Sequence, residues 1–111
     1  MRNLEEVAQT YARLSPGMRE ANREEREADG EASWEVARAE RDTCLRVAFA
    51  ANEIVKARLE DADGNVVADE NVREGVLGAR GPVCVRAGGR VTARFTGEGK
   101  IRVRVVVWRS P

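Results

Sequence analysis

The chain has 111 residues, with 19 Lys plus Arg against 19 Asp plus Glu, no His, two Cys and an aromatic fraction of only 5%. That length suits one domain with a small core and excludes a two-domain enzyme. The lack of His excludes every mechanism that needs an imidazole base, and with it most zinc sites.

In chain order, Leu4, Val7, Ala8, Tyr11 and Leu14 recur at helical spacing and predict one amphipathic helix. Asn3 is placed to cap it, with Glu5 and Glu6 in the favourable first turn. Ser15-Pro16-Gly17 ends it. Residues 18–29 are helix-prone but almost all charged, and read as a solvated helix or a linker stopped by Gly30. An N-terminal unit, residues 1–31, is thus expected before a β domain over 32–111.

From Ala32 the hydrophobic period changes to two. Trp34 and Val36 share a face, as do Leu45, Val47 and Phe49. Further strands are expected at 54–60, 66–68, 76–77, 82–86, 90–96 and 101–107. Asp63-Gly64, Gly88-Gly89 and Gly97-Glu98-Gly99 mark turns between them. About eight short strands with turns every 8–12 residues predict a mainly β fold, an antiparallel β-sandwich or jelly-roll-like arrangement. Val106 and Trp108 fall opposite the main core face, so the N-terminal helix is expected to cover them, with a partner chain as the alternative. Leu4, Val7, Tyr11, Leu14 and Trp108 are the resulting candidate interface.

Cys44 and Cys84 each precede an Arg by two residues (Arg46, Arg86), a matching register that suggests neighbouring strand positions. A disulfide between them would close about 40 residues and imply an oxidising compartment. Two reduced cysteines acting as small hydrophobes are the alternative. No CxxC spacing or further ligand set points to a metal or redox role. Asp61-Ala62-Asp63-Gly64-Asn65 begins like a calcium loop, but Val72 stands where such a loop needs Glu, and a hairpin turn explains the same residues. No metal and no cofactor are expected.

The balanced charge conceals an asymmetry. Residues 1–55 carry 8 basic and 12 acidic side chains, and residues 56–111 carry 11 and 7. Arg86, Arg90, Arg94, Arg102 and Arg104 alternate with apolar residues and form a candidate polyanion-binding face. Pairing with acids of the same chain is the simpler expectation. The scarcity of aromatics outside the core argues against nucleic acid. Serines fall in turn, linker and tail positions without a base, so no enzymatic activity is expected.

No segment is long and apolar enough to span a membrane. The N-terminus has acids where a secretion signal would be apolar. A periplasmic or extracellular location is expected if a signal has been removed, and a cytoplasmic one otherwise.

Trp34-Glu35-Val36, Cys44-Leu45-Arg46-Val47, the run from Ala57 to Ala68 with its Asp63-Gly64 hairpin, and the closing strand from Gly99 to Val105 together resemble the bacterial pre-peptidase C-terminal β-sandwich over residues 34–108. The chain departs from that family in its two strand cysteines, its Arg-rich close and its helical N-terminus. The resemblance implies a non-catalytic accessory module of a cell-envelope or secreted protein, with a protein partner or self-association. A polyanion-binding domain is the alternative.

Overall fold

The computed structural model describes residues 1–111. Helix α1 spans Leu4–Tyr11 and passes into a 3₁₀ turn at Ala12–Leu14. Five strands follow: β1 Arg19–Arg38, β2 Thr43–Glu60, β3 Val66–Leu77, β4 Val83–Val85 and β5 Arg90–Arg109. They form one antiparallel sheet in the order β1-β5-β2-β3, with β4 alongside the start of β2. The chain is therefore mainly β with one short helix, as expected, but with five strands rather than about eight.

Long strands run through places where the sequence suggests turns. The segments read at 43–49 and 54–60 are one strand, as are those at 66–68 and 76–77 and those at 90–96 and 101–107. The interruptions between them are bulges. Register shifts fall at Asp29/Glu31 in β1, Ala51/Lys56 in β2 and Ala50/Val55 against β3. These irregularities lie at one level across the sheet and form a line along which it bends. Gly30 serves this bend with φ +78°. Gly97 serves it by close approach, because a Cβ there would lie 2.7 Å from both Glu53 Oε1 and Ile101 Cγ2.

The bend brings the two halves of one sheet face together. Phe49 and Phe95, on opposite sides of the bend, pack edge to face at 5.3 Å, and Trp34 stacks on Phe95 at 5.6 Å. Leu45, Val47, Val55, Leu59, Val91, Ile101 and Val103 are fully buried in this inner core.

The segment read as a charged helix or linker is the first half of β1, so the expected boundary at residue 31 falls inside a strand. Its helical propensity loses to pairing with β5, where Glu25 faces Arg104, Glu27 faces Arg102 and Asp29 faces Lys100. Its charges also protect a sheet edge from adding further strands.

On the outer face, Val7 and Ala8 pack with Ala48, Ala50, Val76, Val106 and Trp108 in a second, smaller core. Asn3 caps α1 in a capping box with Glu6.

Candidate functional site

The five arginines singled out in the sequence do not form one patch. Arg102 and Arg104 lie outside one half of the bent sheet, and Arg94 outside the other. Their neighbours on β1 and β2 supply acids. Arg102 meets Glu27 at 3.3 Å and Glu25 at 3.9 Å, while Arg104 meets Glu25 at 3.4 Å. Arg94 sits between Glu31 at 3.1 Å and Glu60 at 3.2 Å, and these hydrogen bonds, Glu60 first, raise its pKa. Lys100 hydrogen-bonds Glu27 at 2.8 Å and holds that carboxyl below its usual range. Arg90 reaches Glu35 only at 3.9 Å, and Arg86 has no carboxylate partner. Each such exposed pair is worth about 0–1 kcal/mol. Together they occupy the guanidinium donors of Arg94, Arg102 and Arg104 that a polyanion would need, and leave Arg86 unpaired.

Cys44 and Cys84 stand directly opposite each other on β2 and β4 and are joined by a disulfide. Cys84 is exposed, which the alternative of two buried thiols does not accommodate. The bond fastens a three-residue strand to the sheet, beside a groove of about 610 Å³ that Arg86, Arg90, Asp61, Val67 and Pro82 help to line.

The candidate interface is largely consumed within the chain. Leu4, Val7 and Tyr11 pack around Trp108, which is only 4% exposed. Tyr11 donates its hydroxyl to Glu74, which also receives the Arg2 guanidinium at 2.9 Å. Leu14 is the exception, at 46% exposure. The tighter 3₁₀ turn rotates it off the stripe that 3.6-residue spacing predicts.

Asp61 closes its own loop. Its Oδ1 accepts the backbone N–H groups of Asp63 and Asn65, both at 2.9 Å. The bond from Asn65 is the main cause of its lowered pKa. This is an Asx turn, and it accounts for the acidic run. No group of three or more His, Cys, Asp or Glu side chains is placed to hold a metal.

No family model and no curated protein matches the chain. Among solved structures, the chain is similar to a chain in the acid-stable capsid structure of Helicobacter pylori bacteriophage KHP30. The likeness has a TM-score of 0.42 at 7% identity and covers 78% of this chain and 93% of that one.

Four arginines escaped the sequence reading. Arg19, Arg38, Arg41 and Arg109 converge at one rim of the sheet. Arg19 lies in the segment read as helix or linker, Arg38 and Arg109 sit at strand ends and Arg41 in the turn after β1, where alternation carries no signal. The β1–β5 register, which sets Arg19 opposite Arg109, and the bend of β1 bring them together.

Proposed function

We propose that this chain is a non-catalytic structural or protein-interaction module of a bacterial cell-envelope or secreted protein. The observation that carries this reading is the Cys44–Cys84 disulfide, which clamps β4 to β2 on an accessible face. A reducing cytosol would tend to open such a bond, whereas an oxidising compartment preserves it. The two halves of the bent sheet serve as the layers of a sandwich, in keeping with the pre-peptidase C-terminal resemblance. The free edge of β3, where Val66 and Val67 are 48% and 42% exposed, is the route by which a partner strand would add. The ion pairs of Arg94, Arg102 and Arg104 rank this reading above a polyanion-binding face built on Arg86, Arg90, Arg94, Arg102 and Arg104.

Thiol titration of freshly isolated protein in denaturant, without reductant, tests the proposal. No free thiol is expected. Two free thiols would overturn the oxidising-compartment reading. Retention on heparin that disappears in an R94Q/R102Q/R104Q variant would replace the module with the polyanion-binding face.

A further inference from the structure

The bend in the sheet returns β1 to its own beginning. Arg19 and Arg38, its first and last residues, would stand about 60 Å apart in a straight strand, yet both line one groove. That groove has a volume of about 570 Å³ and is also lined by Arg41, Arg109 and a single acidic side chain, Glu40. None of its lining residues is hydrophobic.

Two independent features mark this rim. The first is pairing. Along the middle of the β1–β5 ladder, acids oppose bases at Glu25/Arg104, Glu27/Arg102 and Asp29/Lys100. At the rim, Arg19 opposes Arg109, and both line the groove. Like charges directly opposite each other are destabilising, so the groove carries a repulsion that the middle of the β1–β5 ladder avoids. The second is the absence of neutralising partners at three of the four arginines. Arg38 pairs with Glu35 at 3.4 Å, but no carboxylate side chain lies within salt-bridge distance of Arg19, Arg41 or Arg109. Arg109 instead donates to the Arg38 carbonyl at 3.3 Å, which holds its guanidinium at the groove. The Ser110 hydroxyl beside it is anchored by the Cys44 N–H at 2.8 Å.

We propose that this rim groove binds a compact oxyanion of the phosphate class carrying two or more negative charges. Guanidinium forks match phosphate oxygens in bidentate geometry and stay charged at all accessible pH. A multivalent anion would relieve the Arg–Arg repulsion, and a groove without hydrophobic lining makes recognition ionic and sensitive to salt. The site is separate from the β5 arginines considered above and does not depend on the compartment of the protein.

The test is a titration of the full chain with tripolyphosphate at low ionic strength, followed by amide and arginine side-chain NMR. Saturable shifts are expected at residues 38–43 and 109–110. Affinity should fall about tenfold in Arg41→Gln and further in the Arg41→Gln/Arg109→Gln pair, as expected for lost charge-assisted hydrogen bonds. An Arg102→Gln/Arg104→Gln pair should bind as the parent does. Arg41 lies in an exposed turn, so its replacement reports on charge and not on folding. Failure to saturate, shifts spread evenly over all arginines, or equal losses in the two variant pairs would overturn the proposal. None of these outcomes bears on the thiol count.

Discussion

Trp34 donates its indole N–H to Glu24 at 2.6 Å, although the two lie ten residues apart in one strand. A straight strand would hold them about 33 Å apart. Arg26 completes the clasp, pairing with Glu24 at 2.8 Å and lying over the Trp34 ring at 4.9 Å. The clasp therefore fixes the bend of β1 from inside.

Trp34→Phe keeps the aromatic packing but removes the donor. A hydrogen bond to a charged group contributes about 1.5–3 kcal/mol, and the partial exposure of Glu24 favours the lower part of that range. Denaturant titration should show a lower midpoint for the variant. An unchanged midpoint would show that the packing of Trp34 alone holds the bend.

The disulfide closes a loop with a sequence separation of 40. On the chain-entropy model this is worth roughly 4 kcal/mol. Cys44→Ser/Cys84→Ser should therefore melt well below the parent, and reductant should lower the parent's melting point but not the variant's. Equal melting points would mean that β4 is held by its backbone pairing alone.

Tyr11 is the only tyrosine, so its ionisation can be read directly by ultraviolet absorbance. Burial and the hydrogen bond to Glu74 raise its pKa well above the ordinary value of 10.0. The raised folded value means that its contribution is fully present below the unfolded pKa and is lost as pH rises through the folded one. The native chain should show no phenolate signal near pH 10, and denaturant should restore it. Tyr11→Phe should cost about 1 kcal/mol at neutral pH and reduce the loss of stability in alkali. A native phenolate titrating near pH 10 would place Tyr11 outside the helix–sheet contact.

Gly97→Ala should destabilise the bend, since the added carbon would meet Glu53 and Ile101 at 2.7 Å. Overpacking of this kind costs about 1–3 kcal/mol. Gly81→Ala, which meets nothing within 4 Å, is the control and should lie much closer to the parent in thermal denaturation.

The legible parts of this fold are those where one face is apolar and the other polar. Leu45 to Phe49 and Ile101 to Val107 alternate cleanly, and the structure buries the predicted face. The first half of β1 is opaque for the opposite reason. Glu24 and Arg26 lie on its inner face at an open edge, while Glu25 and Glu27 pair outward with β5, so charge occupies both faces and the period of two vanishes. The sequence suggests more strands than form because a bulge breaks the alternation as a turn does, with Ala50-Ala51-Asn52-Glu53 in β2 and Gly97-Glu98-Gly99 in β5. The cysteine pair was visible from matched register. The rim arginines were not, because their convergence depends on β1 bending back on itself.

The strand order has a further consequence for biosynthesis. β1 is made first, but its partner β5 is made last. At roughly 5–20 residues per second, β1 waits for seconds with its backbone unpaired. An apolar strand in that position would be a seed for aggregation. Carboxylates and guanidinium groups on both faces of its first half keep that part of the waiting segment hydrated until the last strand arrives. The feature that hides β1 from pattern recognition is thus also the one that protects the nascent chain.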